Sequence, residues 1–177
     1  MKKIVTVIFM FITFIIIYFL QVNFFVNFTI AGIKPNLFVL YVLFIGLFAN
    51  QIIGISLGVI IGFLIDLIYG KIIGVTAIML CIIGYLGSYF DKNFSKENKI
   101  TIILMSAGAT IIFEFGSYFL ESLILNFKRE YIAFFRILIV EVIYNIILTI
   151  LLYPLIQKMG YIIDRIFKKN NILTRYF

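Results

Sequence analysis

Residues 50–74, NQIIGISLGVIIGFLIDLIYGKIIG, repeat glycine at every fourth position from Gly54 through Gly58 to Gly62, and Asp66 follows at the same interval. Residues four apart lie near one face of a helix, so the three glycines predict a groove that lets another helix backbone approach closely. Such a groove favours packing within the protein, and a contact with another chain is the alternative. An aspartate in hydrocarbon costs about 2.5 to 3.5 kcal/mol on insertion scales, so Asp66 needs a partner, a water-filled pocket or a function.

The composition of the chain predicts an integral membrane protein. Hydrophobic residues make up 64% of its 177 residues, charged residues make up 13%, and the mean hydropathy is +1.18. Soluble domains are nearer half apolar and a quarter charged. Apolar runs of about 17 to 25 residues favour spanning helices over a barrel, so the expected fold class is all-α. The net charge is +7, and the basic residues that produce it lie between these runs and in the tail. The enrichment of basic residues on the cytoplasmic side of a membrane explains this distribution better than nucleic-acid binding does.

The residues that usually carry catalysis are scarce in this chain. It has no histidine, and its single cysteine, Cys81, lies in an apolar segment. This excludes an internal disulfide, a cysteine metal cluster and a nucleophile paired with histidine. The motifs of serine hydrolases, zinc proteases, phosphate-binding loops and dinucleotide-binding folds are also missing. We therefore expect a protein that is not an enzyme and that needs no metal or cofactor.

Six membrane spans in one bundle fit the apolar runs. They cover residues 4–25, 35–49, 52–69, 72–90, 100–125 and 132–156. The first is expected to be retained rather than cleaved as a signal peptide, because no small-residue cleavage site follows it. The second is near the lower limit for crossing about 30 Å, so it could instead be re-entrant, which would leave five spans.

The basic residues predict the orientation. Ten of them fall on the side that we assign to the cytoplasm: Lys2, Lys3, Lys92, Lys96, Lys99, Lys158, Arg165, Lys168, Lys169 and Arg175. Four fall on the other side: Lys34, Lys71, Lys128 and Arg129. Because cytoplasmic loops are enriched in Lys and Arg, both termini are expected in the cytoplasm of a cytoplasmic-type membrane.

The last twenty residues, 158–177, are expected to form a tail apart from the membrane domain of residues 1–157. After Pro154 the apolar residues follow a helical period, namely Met159, Ile162, Ile163, Ile166 and Phe167. The basic residues Lys158, Arg165, Lys168 and Lys169 lie elsewhere on that helix. This pattern predicts a basic amphipathic helix on the inner surface of the lipid bilayer, and a surface for a specific partner is the alternative.

Five charged residues fall inside the predicted spans. Asp66, Glu121 and Arg136 share an outer depth, so Arg136 is expected to pair with at least one of the two carboxylates. Glu114 and Glu141 lie deeper, and each has a polar residue four positions on, Tyr118 and Asn145 respectively. These two could be protonated and donate hydrogen bonds between helices, which the polar neighbours favour. Alternatively, they line a polar cavity for an ion or a ligand.

The order of these features resembles the MreD family of rod shape-determining proteins. The resemblance rests on a basic start before the first span, Pro35-Asn36-Leu37 at the start of the second, Gly54, Gly58 and Gly62 followed by Phe63-Leu64-x-Asp66-Leu67, Gly74 before the fourth span, and a basic tail after Tyr153-Pro154. It covers nearly the whole chain.

The resemblance implies a non-enzymatic scaffold of the bacterial cell-elongation machinery in the cytoplasmic membrane. It implies an MreC-like single-span partner, a complex with RodA and a class B penicillin-binding protein, and an indirect link to the actin-like MreB. The implied role is to position lateral peptidoglycan synthesis and to maintain cell shape.

The family is also related in fold to the six-helix substrate-binding S components of energy-coupling factor vitamin transporters, which gives an alternative function. Those components dock through small residues, an Ala-x-x-x-Ala pattern, on their first helix. The first span here, residues 4–25, contains neither Ala nor Gly, which favours the scaffold. An intramembrane enzyme would have only carboxylates to work with and no nucleophile paired to a base.

Overall fold

The computed structural model describes residues 2–69, 72–125 and 131–167. All regular elements of these residues are helical: α1 Lys2–Phe19 with a π-helical continuation Leu20–Phe24, α2 Leu37–Phe48, α3 Gln51–Tyr69, α4 Val75–Asn93, α5 Lys99–Leu125 and α6 Tyr131–Phe167. The predicted all-α membrane fold is therefore confirmed. We call the end of the bundle at which α1 begins the near end and the opposite end, at which α3 and α5 finish, the far end.

The second helix is too short to cross a membrane. It has 12 residues, or about 18 Å at 1.5 Å per residue, against a hydrocarbon thickness of about 30 Å. The five other helices of the described residues are long and apolar enough to span. Of the two predicted counts, five full spans therefore fit the structure, with α2 as a shorter helix. α2 is nevertheless central, since ten of its residues are buried, among them Val39, Leu43 and Leu47.

The glycines of α3 bring α3 and α4 into backbone contact. A Cβ added at Gly54 would lie 2.7 Å from Gly46 Cα on α2 and 2.8 Å from Gly84 O on α4. At Gly58 the added atom would lie 2.7 Å from the carbonyl carbon of Leu80. Real Cβ atoms do not approach so closely, so these positions leave no room for a side chain.

The predicted groove is therefore filled from within the protein. Gly62 continues it, since an added Cβ there would lie 2.6 Å from the backbone nitrogen of Ala77 on α4. These contacts show helix packing within the protein, which is what the sequence favoured. The alternative, that Gly54, Gly58 and Gly62 receive a partner's helix, is wrong for this structure, because α4 already occupies that face.

The first helix lies at the edge of the bundle. Only 6% of its apolar stretch is buried, and large side chains such as Phe11 and Ile16 are more than half exposed. α1 is fastened to the bundle by a few contacts, of which Tyr18 OH to Tyr69 OH at 2.9 Å joins it to the far end of α3. This arrangement leaves an apolar helix face without a partner from the described chain.

The sixth helix continues without interruption through Pro154 to Phe167. Its 37 residues extend for about 55 Å, which is more than a bilayer needs. The apolar face of the predicted tail helix partly packs on the bundle: Ile163 is buried, and Gly160 lies against the ring of Phe48. The separate surface helix that we predicted after Pro154 is therefore a continuation of α6. The division at residue 157 into a membrane domain and a surface tail stays a prediction, and Lys168, Lys169 and the rest of 168–177 lie outside the described residues.

Candidate functional site

The carboxylate of Asp66 caps the amino terminus of α4. Its Oδ2 accepts from Gly74 N at 2.8 Å and from Ala77 N at 3.2 Å, and its Oδ1 accepts from Thr76 N at 3.3 Å. Gly74 has φ +104°, a left-handed conformation that other residues rarely adopt. A helix start leaves backbone N–H groups without partners and carries a partial positive charge, so a carboxylate is stabilised there. The side chain of Asp66 is 2% exposed, and these amides explain how it persists in an apolar setting.

Arg136 lies elsewhere and does not pair with Asp66. Its guanidinium Nη2 donates to the carbonyl of Ala31, in the connection between α1 and α2, at 3.4 Å. Among the described residues no ion pair joins Arg136 to Asp66 or to Glu121. The predicted pairing is therefore wrong, because the amides of α4 already satisfy Asp66 and Arg136 reaches a different segment.

The start of α2 is held by side chains from α1 and α6. Asn36 caps the helix through its own Oδ1, which accepts from Val39 N at 3.3 Å. Gln21, in the π-helical continuation of α1, accepts from Leu37 N at 3.0 Å and donates to the carbonyl of Pro35 at 2.8 Å. The segment Pro35-Asn36-Leu37, on which the family resemblance partly rests, is thus the buried junction at which a non-helical connection becomes α2.

Asn145 of α6 extends this junction into a buried polar network. Its Oδ1 accepts from Asn36 N at 3.0 Å, and its Nδ2 donates to Thr110 Oγ1 on α5 at 2.9 Å. Thr110 in turn donates to the carbonyl of Ser106 at 2.9 Å. Asn145 and Thr110 are fully buried, so these hydrogen bonds satisfy polar groups that water does not reach. The network ties α2, α5 and α6 together within the bundle.

Glu141 lies one turn from Asn145 and connects the network to Glu114. Its side chain is 7% exposed, and its carboxyl faces the side chains of Glu114 and Asn36. The sequence predicted that both glutamates lie deep in the bundle. The structure brings them together across the α5–α6 interface. Glu114 both hydrogen-bonds to Glu141 on the neighbouring helix and lines a cavity, so the two alternatives do not exclude each other.

A cavity of about 450 Å³ with both polar and apolar walls includes Glu114 and extends toward the far end. We call it the far cavity. Its described lining comes from α4, α5 and α6, and its polar members are Thr76, Glu114, Ser117, Tyr118 and Glu121. The described residues contain no group of three or more His, Cys, Asp or Glu side chains that could hold a metal ion.

A second, apolar cavity of about 480 Å³ lies between α1, α2 and α6. We call it the apolar cleft. The only hydroxyl groups of its described lining belong to Thr13 and Tyr41, and Tyr41 OH donates to the carbonyl of Met10 at 2.5 Å. Its walls include Ile16 of α1 and Leu152 of α6, which are 52% and 37% exposed. The cleft therefore presents hydrocarbon surface along the side of the bundle.

A buried ion cluster closes the near end. Lys96 Nζ lies 3.0 Å from Asp91 Oδ1 and 2.7 Å from Asp164 Oδ1, and it also lies over the ring of Phe48 at 5.4 Å. Gln157 Nε2 donates to the carbonyl of Lys96 at 2.6 Å. The connection between α4 and α5 thereby holds the last turns of α6 against the bundle.

The remaining predicted residues lie at the surface. Phe63 and Leu67 of α3 are 46% and 55% exposed, on the side opposite the glycines, and Lys158 and Arg165 of α6 are exposed. The sequence pattern singled out none of Gln21, Thr110 and Ser117, although a hydroxyl or amide inside an apolar run was an available signal for each. It marked Lys96 only as a basic residue of the cytoplasmic side and gave no sign of its buried ion pairs.

Comparison with known proteins gave one family. The sequence model described as rod shape-determining protein MreD matches residues 1–161 of the 177. The matched range includes the α3 glycines, Asp66 and the whole polar network. No curated protein and no solved structure matched the chain, so the predicted likeness to transporter S components stays a prediction.

Proposed function

The chain belongs to the MreD family of rod shape-determining proteins, and from this premise we propose that it is a non-enzymatic scaffold of the bacterial elongation complex. In this role it holds the transmembrane helix of an MreC-like single-span protein. The complex includes RodA and a class B penicillin-binding protein, and it reaches the actin-like MreB indirectly. Its work is to position lateral peptidoglycan synthesis and so to maintain the rod shape of the cell.

The observation that supports partner binding most strongly is the apolar cleft beside the exposed α1. Helices associate in membranes through close packing, so a partner helix needs a concave apolar surface that the protein itself has not filled. The glycine face of α3 is filled by α4, whereas the cleft between α1, α2 and α6 is a cavity that the described residues leave unfilled. We therefore assign the partner's helix to the apolar cleft.

We further propose that the protein lies in the cytoplasmic membrane with its near end and both termini in the cytoplasm. The basic residues Lys92, Lys96 and Lys99 all lie at or beside the near end, together with Lys158 and Arg165 of α6. This distribution agrees with the enrichment of Lys and Arg on cytoplasmic loops. The far cavity then faces the outer leaflet.

A pair of neighbouring isoleucines on α1 allows a matched test of the cleft. Ile16 lines the cleft and is 52% exposed, whereas Ile15 does not line it and is 50% exposed. Each is replaced by tryptophan in a tagged chain, in a rod-shaped bacterium depleted of its own MreD. The measurements are protein abundance, the amount of MreC-like protein that copurifies, and cell width.

We expect Ile16→Trp to lower the recovery of the partner roughly tenfold, because a bulky ring in a packed interface costs about 1 to 3 kcal/mol. Cells should widen as a result. Ile15→Trp should leave recovery and width unchanged at equal abundance. Leu152→Trp on the opposite wall should behave like Ile16→Trp, and Leu151→Trp, which is outside the cleft, should not. Equal recovery with Ile15→Trp and Ile16→Trp would show that the partner lies elsewhere.

A further inference from the structure

The far cavity is more than a group of acidic residues. Glu114, Ser117 and Glu121 follow one another at spacings of three and four on α5, so they share the helix face that lines the cavity. Aromatic rings from Phe113, Tyr118 and Phe134 complete its walls. Its volume of about 450 Å³ falls within the range of small-ligand sites, roughly 300 to 1,000 Å³.

Glu141 lies one helical turn beyond the described lining of this cavity. Ala133 and Ile137 line the cavity from α6, and Glu141 follows Ile137 by four residues on the same helix face. The Glu141 carboxyl faces Glu114, which belongs to the lining. Glu141 is only 7% exposed, and its Oε1 has no hydrogen-bond partner among the described residues.

Ser117 supplies a second unused polar atom. Its Oγ is buried and likewise has no hydrogen-bond partner among the described residues. Buried polar atoms in native proteins nearly always have partners, and an exception calls for an explanation such as a ligand. The lining of the far cavity thus combines carboxyl oxygens and a hydroxyl oxygen, which can accept hydrogen bonds, with aromatic side chains.

We propose that the far cavity binds an organic ammonium group. An ammonium ion donates up to three hydrogen bonds, which suit the oxygens of Glu114, Ser117 and Glu121, and it is attracted to aromatic faces. The described lining contains no Lys or Arg that would fill this role, since Arg136 donates to the carbonyl of Ala31 instead. The rings on the walls accommodate an apolar group attached to the ammonium.

Two sources could supply this chemistry, namely the headgroup of an aminophospholipid and a soluble amine. For the soluble source, the purified full-length protein in maltoside micelles is titrated calorimetrically with 2-phenylethylammonium and with the uncharged 2-phenylethanol. For the lipid source, native mass spectrometry compares dioleoyl phosphatidylethanolamine with dioleoyl phosphatidylglycerol. The source is a soluble amine if only the calorimetric titration shows preferential ammonium binding, and an aminophospholipid if only the mass spectrometry does.

Three variants connect binding to the cavity. Glu121→Gln keeps the side-chain shape and removes the charge, and we expect it to weaken ammonium binding about tenfold, the loss typical of one charged hydrogen bond. Ser117→Ala removes a hydroxyl that makes no hydrogen bond within the described protein, so it should weaken binding without lowering the unfolding temperature. Glu97→Gln, an exposed change at the near end, serves as the matched control and should have no effect.

The proposal requires that 2-phenylethylammonium or phosphatidylethanolamine bind at least tenfold more tightly than its comparison compound. Equal binding of charged and uncharged probes, or no ammonium binding in folded protein, would overturn it. If Glu121→Gln fails to fold, Ser117→Ala decides, because a folded Ser117→Ala protein with undiminished affinity places the ligand outside the cavity.

Discussion

Lys96 Nζ lies 2.7 Å from Asp164 Oδ1, and this contact joins the connection between α4 and α5 to the last turns of α6. The Lys96 side chain is 8% exposed, so the ion pair is largely removed from water. Lys96→Met removes the ammonium from the buried carboxylate of Asp91 as well as from Asp164, and breaking a buried pair in this way costs about 3 kcal/mol. We expect faster hydrogen exchange at the end of α6, measured by mass spectrometry. Lys92→Met, an exposed change on α4, should leave that exchange unchanged.

Asp66→Ala should destabilise the protein by about 2 kcal/mol or more, because three backbone amides of the α4 start lose their acceptor. Asp66→Asn keeps one accepting oxygen and should lose less. The measurement is the midpoint of thermal unfolding in detergent. An equal loss for both variants would mean that charge rather than hydrogen bonding dominates.

Arg136→Leu should have a small effect, since the exposed guanidinium makes one long hydrogen bond to the carbonyl of Ala31. Combined with Asp66→Ala, its effect should add to within about 0.5 kcal/mol, as expected for residues that share no contact. The same unfolding assay measures this. If the double variant were more stable than the Arg136→Leu variant alone, this result would support the ion pair that we predicted from sequence.

Gly58→Ala should reduce the amount of folded protein, because its Cβ would lie 2.7 Å from the carbonyl carbon of Leu80 and backbone cannot move aside cheaply. Gly108→Ala is the matched control: nothing lies within 4 Å of its added Cβ, and alanine is the better helix former by about 1 kcal/mol. Size-exclusion profiles of both proteins report the outcome. A well-folded Gly58→Ala protein that loses only partner binding would contradict the internal role of the α3 glycines.

The proposed orientation predicts opposite labelling of two introduced cysteines. In a Cys81→Ala background, a cysteine at Asn93, the last residue of α4, should react from the cytoplasm. A cysteine at Asn126, which follows the last residue of α5 and lies outside the described residues, should react with a membrane-impermeant reagent from outside. Labelling of both from outside the cell would exclude this orientation.

Much of the helical framework could be predicted from hydropathy alone. The predicted spans 52–69 and 100–125 differ from α3 and α5 by one residue at their starts, because each is bounded by polar residues in a long apolar run. The end of α6 could not be predicted in this way. Proline usually ends a helix, but Pro154 lies inside one here, and packing of Gly160 and Ile163 on the bundle outweighs the hydrogen bond that its missing N–H would have made.

The candidate sites were only partly visible in the sequence. The cost of burying Asp66 predicted that it has a partner, and the predicted partner was a charged side chain, whereas the structure supplies the amides of a helix start. The sequence predicted a shared depth for Glu114 and Glu141, but it did not predict the contact between them that the structure shows. The hydrogen bonds of Asn145 to Asn36 and Thr110 were not predicted either. For Asn36 the reason is that α2 begins inside the bundle, at a junction that apolar periodicity does not mark.

The way in which Asp66 caps α4 also affects whether this contact can be detected from the sequences of homologous proteins. All three donors are main-chain amides, so the identities of the side chains at positions 76 and 77 do not enter the hydrogen bonds. A substitution at either position therefore requires no compensating change at Asp66. We therefore expect that an analysis of correlated substitutions in homologous sequences would not detect this contact, even though it fixes where α4 begins relative to α3.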